Sequence, residues 1–263
     1  MKQSPIITLL TDFGHEGGFV SALKGVILGI NRNAQIVDMS HEIGPQDIFD
    51  GAFTFLVNYK HFPKDTIHVG VVDPGVGSRR KLLCAQTPSG TFVVPDNGLV
   101  SPILEREKNA EVYELANPKL FLPVVSNTFH GRDKLAPAAA HLSKGFPIKQ
   151  VGPKVSSWQK VDLGLARVES KKITGQVIHA DRFGNLITNI SGDDVKRLGP
   201  LETLSVRVKG KTIPRMVKFF SEVRPGDLLV LVGSSNFVEV ACNLGSAAER
   251  LKVTRGEKVE ILA

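Results

Sequence analysis

The sequence predicts two domains: an α/β domain with a central, mostly parallel sheet, then a smaller all-β domain. Three observations carry that prediction. The first half alternates short apolar runs with stretches of helical periodicity. Between residues 144 and 172, Gly145, Pro147, Gly152, Pro153, Ser156 and Ser157 repeatedly interrupt any pattern. Beyond them the chain turns to short alternating runs with little helix, the texture of a small barrel or sandwich. At 263 residues each part can bury its own core. The domains are placed at 1–165 and 172–263.

Residues 6–10 form a short apolar strand that runs into Thr11-Asp12-Phe13-Gly14-His15-Glu16-Gly17-Gly18. Phe19, Val20, Leu23, Val26, Ile27 and Ile30 then recur at helical spacing. Such a strand, glycine-rich loop and helix opens many nucleotide-binding domains, although neither GxGxxG nor a P-loop is present. Asp12 at the strand end suits a ribose diol, and serves equally as a helix cap or turn former. Residues 34–39 read as a second strand and 46–59 as a helix.

A buried strand at 66–72 ends in Asp73-Pro74-Gly75-Val76-Gly77-Ser78-Arg79-Arg80. Pro74 pushes Asp73 into an extended conformation, and the glycines allow a tight turn that returns a guanidinium to the carboxylate. Ligands sit at such edges in open α/β sheets, but a surface turn with an ion pair uses the same residues. A hairpin follows at 82–87 and 91–94, then the turn Pro95-Asp96-Asn97-Gly98, a short helix at 100–105 and a strand at 110–115. Asn127-Thr128-Phe129-His130-Gly131-Arg132-Asp133 precedes an alanine-rich helix, which puts His130 just ahead of its N-terminus and Asp133 where an acid favours the helix dipole. His141 lies inside that helix and reads as structural.

In the second part, strands are expected at 173–179, 186–190, 204–208, 228–232, 237–240 and 259–262, with one short helix at 245–251. Two polar turns stand out. One is Asp181-Arg182-Phe183-Gly184-Asn185; the other is Gly233-Ser234-Ser235-Asn236, followed by Glu239 and Asn243. Both are also ordinary turn chemistry.

The net charge is +7, but the basic residues are dispersed and Trp158, Tyr59 and Tyr113 exhaust the Trp and Tyr, so nucleic-acid binding is not expected. Lys2 is the single early basic residue, and the run at 6–10 is too short for a signal core or membrane span. Cys84 and Cys242 lack metal-site spacing and predict buried thiols in a reducing cytoplasm. No Gly-x-Ser-x-Gly elbow is present, which disfavours covalent nucleophilic catalysis. A carboxylate, a guanidinium and an imidazole together can hold and polarise a water. The same Asp and His residues could serve a metal-dependent phosphate or ester hydrolase, but no HxH or HExxH spacing supports that.

Taken together, several strings resemble one family. They are Ile7-Thr8-Leu9-Leu10-Thr11-Asp12-Phe13-Gly14, Val71-Val72-Asp73-Pro74-Gly75-Val76-Gly77, Pro95-Asp96-Asn97-Gly98, Phe129-His130-Gly131-Arg132-Asp133 and Asp181-Arg182-Phe183-Gly184-Asn185-Leu186-Ile187-Thr188-Asn189-Ile190. In this order they resemble the S-adenosyl-L-methionine hydroxide adenosyltransferases, hydrolase relatives of fluorinase and chlorinase. The match runs from about residue 6 to the C-terminus. The resemblance implies hydrolysis of S-adenosyl-L-methionine (SAM) to adenosine and L-methionine by water or hydroxide attack at ribose C5′, with SAM as substrate and no cofactor or metal.

The family's catalytic Asp, Arg and His fall on Asp73, Arg80 and His130, Arg80 being preferred to Arg79 by its offset from the Asp. Asp12 matches the ribose-diol carboxylate, and Asp181 and Asn185 match positions that hold the amino-acid end of the substrate. Ser235, Asn236, Glu239 and Asn243 match a stretch that lies against adenine. The resemblance also selects a barrel for the second domain and implies a homotrimer with active sites between subunits. Halide-transferring relatives would carry a neutral halide pocket instead of the Asp, Arg and His set. A chlorinase-like halide transfer and a non-catalytic adenosine- or SAM-binding role are the alternatives.

Overall fold

Among the described residues, six strands and four α-helices build the first unit, which ends at Asp162; the second runs from Leu163 to Ala263. The computed structural model describes residues 4–263, so Lys2 and the first three positions of the expected first domain lie outside the described residues.

The first unit opens with β1 (Ile6–Thr11), α1 (Phe19–Ile30), β2 (Gln35–Ser40) and α2 (Ile48–Asn58). Next come β3 (Ile67–Val71), β4 (Leu82–Thr87), β5 (Gly90–Pro95), α3 (Ser101–Arg106), β6 (Glu111–Glu114) and α4 (Ala136–Ser143). The sheet order is β2-β1-β3-β5-β4-β6. β1 pairs with β2 and β3 in parallel, as does β3 with β5, but β4 runs antiparallel to both β5 and β6. The sheet is therefore mixed, which corrects the expectation of a mostly parallel one. The cause is local: the two-residue connection at Pro88 and Ser89 can only fold β5 back along β4, because a parallel neighbour needs a long crossover. Ile7, Leu9, Val69, Val71 and Val93 pack with Leu23 and Ile27 of α1 and the small Ala136, Ala139 and Ala140 of α4. Each large aliphatic buried there contributes about 2 kcal/mol.

The second unit contains β7 (Arg167–Glu169), β8 (Lys172–Ala180), β9 (Leu186–Ser191), α5 (Gly192–Leu198), β10 (Ser205–Val208) and β11 (Lys211–Ile213). It closes with β12 (Leu228–Val232), β13 (Phe237–Cys242), α6 (Ala247–Leu251) and β14 (Lys258–Leu262). The strands follow the order β11-β10-β14-β8-β9-β13-β12, with β7 added to β8. Every pairing is antiparallel, and the terminal strands β11 and β12 approach each other to leave a nearly closed barrel. Ile173, Val177, Leu186, Val206, Val230, Val240 and Ile261 fill it. The expectation of a single short helix is corrected by α5. Ser191 caps it by accepting from the Asp194 N–H at 3.1 Å, with Asp193 and Asp194 in its first turn and Lys196 and Arg197 in its last. Both cysteines are free and buried, and burial pushes the Cys84 thiol up to about 12. No helix of the described residues is long and apolar enough to cross a membrane.

Candidate active site

Three carboxyl-end loops of the first sheet meet around a cavity of about 450 Å³. The loop after β1 supplies Asp12 and Phe13, and the loop after β2 supplies Pro45 and Gln46. The loop after β3 supplies Asp73, Pro74 and Val76. The segment ahead of α4 closes the wall with Thr128, Phe129, His130 and Gly131. This is the edge at which open α/β sheets hold ligands.

The turn after β3 is shaped by its glycines. Gly77 has φ 80°, and a Cβ there would collide with the Asn127 carbonyl. A side chain at 77 would therefore push the β3 loop off the His130 segment. The turn carries Arg80 back to Asp73: Nε donates to Oδ1 at 2.6 Å and Nη2 to Oδ2. Arg79 is exposed. Only 4% of the Asp73 side chain and 9% of Arg80 remain exposed, so the pair is little screened by solvent. Arg80 Nη2 also lies 3.3 Å from His130 Nδ1. Because a guanidinium has no acceptor, that contact is a hydrogen bond only when Nδ1 is unprotonated. Burial, helped by Lys134 and Arg80, holds His130 below the usual histidine range against the opposing pull of Asp73 and Asp133. A neutral ring that accepts from Arg80 at Nδ1 carries its proton on Nε2. Asp73 and His130 line the cavity, whereas Arg80, which contacts both, is not among its lining residues.

His130 precedes a π-helical turn, Gly131–Leu135, that leads into α4. Asp133 within it is fully buried, accepting from the Ser126 N–H and hydroxyl at 2.7 Å each and from Arg132 Nε at 2.6 Å. It anchors the loop that bears His130. Asp12 lines the same cavity as Asp73 and His130, with Oδ2 accepting from the Gln46 N–H at 2.8 Å. Phe13, Phe19 and Phe129 form an apolar side of the cavity, their ring centroids 5.4–5.6 Å apart. The sequence reading missed these rings and Gln46. The adjacency of Phe13 to Asp12 and of Phe129 to His130 was the available signal.

Asp181 Oδ1 accepts from the Phe183 and Asn185 N–H groups, and Oδ2 accepts from the Asn185 amide at 2.9 Å. This ties the β8–β9 turn into one polar knot. Glu239 on β13 is held above the usual carboxylate range by burial and by Asp181. Its carboxylate lies where a Cβ at position 233 would be, so a side chain there would displace the Glu239 carboxylate. Asn185 and Asn243 share a second cavity with Phe183, Phe220 and Leu244. Asn243 also donates to the Val223 carbonyl at 2.8 Å. Ser235 and Asn236 lie elsewhere, in the turn before β13, where Asn236 has φ 62° and its carbonyl accepts from the Gly192 N–H. About 20 Å of strand separates Asn236 from Asn243. Among the described residues, no group of three or more His, Cys, Asp or Glu is placed to hold a metal ion.

Fold and site define a two-part protein whose α/β unit presents an imidazole, a guanidinium-bound carboxylate and a second carboxylate to one cavity. Residues 7–152 match the model of the SAM hydroxide adenosyltransferase N-terminal domain, and 175–260 match that of its C-terminal domain. The chain belongs to the SAM hydroxide adenosyltransferase family.

Among its relatives, the (R)-S-adenosyl-L-methionine hydrolase of Salinispora tropica is 36% identical over 266 residues, covering 100% of both chains. That of Methanocaldococcus jannaschii is 36% identical over 271 residues, covering 98% of this chain and 95% of the relative. A fluorinase of Actinoplanes sp. is more distant, 26% identical over 290 residues, covering 98% and 97%. A solved structure of an uncharacterized conserved protein from Thermotoga maritima superposes with TM-score 0.93 at 37% identity, covering 98% of this chain and 100% of that one.

Proposed function

We infer that this protein is an enzyme that hydrolyses SAM to adenosine and L-methionine. The observation that carries the reading is the pairing of Asp73 and His130 on one wall of a cavity that also holds Asp12. Full-length similarity to proteins named (R)-S-adenosyl-L-methionine hydrolase supports it and points to the (R) sulfonium epimer.

A sulfonium is already a good leaving group, so the task is to present a desolvated water in line with the C5′–S bond. Water oxygen forms the bond to C5′ as the C5′–S bond breaks. The electron pair of that bond goes to sulfur, which leaves as the neutral thioether of methionine. His130 Nε2–H donates to the attacking oxygen, while Asp73 accepts from the water and passes its proton to solvent. Arg80 positions both and keeps the imidazole neutral. Asp12 Oδ1 takes the ribose hydroxyls, and the phenylalanine rings give the nucleoside an apolar seat. No cofactor is required.

Asp181, Asn185 and Glu239 are assigned to the amino-acid and adenine ends of the substrate, with Ser235, Asn236 and Asn243 as further contacts. The assembly is a homotrimer in which one subunit's second unit completes its neighbour's site. The exposed Phe183 and Leu244, 77% and 87% accessible, favour such a partner. Two free, buried cysteines suit a cytoplasmic setting. Incubation with SAM at defined sulfur configuration, with and without EDTA, tests the reading. EDTA-resistant release of adenosine and methionine is expected. Binding without turnover would favour a sensor, and a halogenated nucleoside in chloride would favour halide transfer.

A further inference from the structure

The loop that follows β2 touches the Asp12 loop at three points, and the mechanism uses none of them directly. β1 and β2 slip register between Leu9 and Leu10, so that Leu10 pairs with Ser40 and His41 arrives beside Thr11. The His41 ring is fully buried, and its Nδ1 lies 2.9 Å from the Thr11 hydroxyl. Its Nε2 is 3.0 Å from Asp38 Oδ1, at attractive distance though outside hydrogen-bond alignment. A carboxylate there favours the proton on Nε2, which makes Nδ1 the acceptor for Thr11. Lys24 holds Asp38 in turn at 2.6 Å. On the far side of Asp12, the His41 carbonyl accepts from the Gly14 N–H at 2.8 Å. The third contact is the Gln46 N–H on Asp12 Oδ2, made from a left-handed backbone with φ 64°. Asp12 is therefore bracketed by Thr11 and Gly14, both fixed to one buried histidine, while its own Oδ2 is occupied. Sustaining a left-handed glutamine costs free energy that the surrounding contacts must offset.

We propose that His41, oriented by Asp38 and acting through Thr11, is a positioning residue that aims Asp12 Oδ1 at the ribose diol of the substrate. The inference rests on the reading of Asp12 as the diol acceptor. His41 and Asp38 do not line the cavity, and neither touches substrate in this account.

The test compares the affinities of adenosine and 2′,3′-dideoxyadenosine by calorimetry, since only the first can use Asp12. The wild type is expected to prefer adenosine by more than about tenfold, the contribution of hydrogen bonds to a charged acceptor. Thr11→Val is expected to cut that preference to less than about threefold, and Thr11→Ser, which keeps the hydroxyl, to restore it. A merely structural role would weaken both ligands alike and leave the ratio unchanged, overturning the inference. Should Thr11→Val fail to fold, Asp38→Asn is read by the same ratio: a fall supports the proposal and an unchanged ratio overturns it. A wild type without preference instead overturns the Asp12 reading, and the positioning role with it.

Discussion

Arg80 binds Asp73 through two nitrogens and directs one of them at His130 Nδ1, 3.3 Å away. One guanidinium thus fixes the carboxylate's orientation and the imidazole's tautomer together. Lysine could neutralise Asp73 but cannot make both contacts from a planar fork.

Arg80→Lys is therefore expected to lower kcat by about 100-fold or more while KM for SAM changes less than about threefold, because the loss is in water presentation. Arg79→Ala, at an exposed position, should stay near wild type. Steady-state kinetics on the three proteins check this. Equal losses at 79 and 80 would contradict the role of the paired guanidinium.

The pH profile carries a signed prediction. The proposed mechanism uses a neutral His130, and burial together with Lys134 and Arg80 holds it below the usual histidine range, against Asp73 and Asp133. Activity should fall as pH drops through a value below 6.5, the ordinary histidine value. Lys134→Met removes one of the lowering charges, so its acid limb should move to higher pH. Profiles of kcat/KM on both proteins decide it, and an unmoved limb would count against His130 as the titrating group.

Asp133 supports the His130 loop from inside. Asp133→Ala leaves the Ser126 N–H and hydroxyl without their acceptor and Arg132 without its partner. A loss of about 3 kcal/mol in urea unfolding is expected. A change below about 1 kcal/mol would show that the loop is held by other contacts.

His68 sets an acid limit on stability. It is buried, stacked on Phe92 and bonded through Nδ1 to Thr8, and burial pushes it down to about 4. Between pH 6.5 and about 4 the unfolded chain binds a proton there that the folded chain does not. Stability contributed by the neutral ring is present above that window and lost as pH falls through it, about 3 kcal/mol in all. His68→Gln should flatten this part of the stability–pH curve, as measured by unfolding at pH 7 and pH 4.

Some of this architecture was legible in the chain and some was not. The strand, glycine turn and helix at the start and the hairpin around Pro88 appear in sequence because their signals are local. The hairpin's place in the sheet does not, because the pairing of β5 with β3 and of β4 with β6 joins residues far apart in sequence. Helix α5 has a readable start in Ser191, Asp193 and Asp194, but its seven residues are too few to show helical periodicity. At the site, residue types and order were visible in the motifs. The division of labour was not: Asp73 and His130 line the cavity, and Arg80, which contacts both, is not among its lining residues. The distance between Asn236 and Asn243 follows from β13 being extended, which spreads seven residues over about 20 Å where a helix would cover about half of that.

The central claim is that water attacks C5′ of SAM at the Asp73 and His130 wall. Single-turnover hydrolysis in ¹⁸O-water, followed by mass spectrometry of both products, tests it most directly. The expected result is adenosine carrying one ¹⁸O at its 5′ oxygen and unlabelled methionine, with the same yield in EDTA and no 5′-halogenated product in chloride. Unlabelled adenosine, or a halogenated nucleoside in place of adenosine, would contradict it.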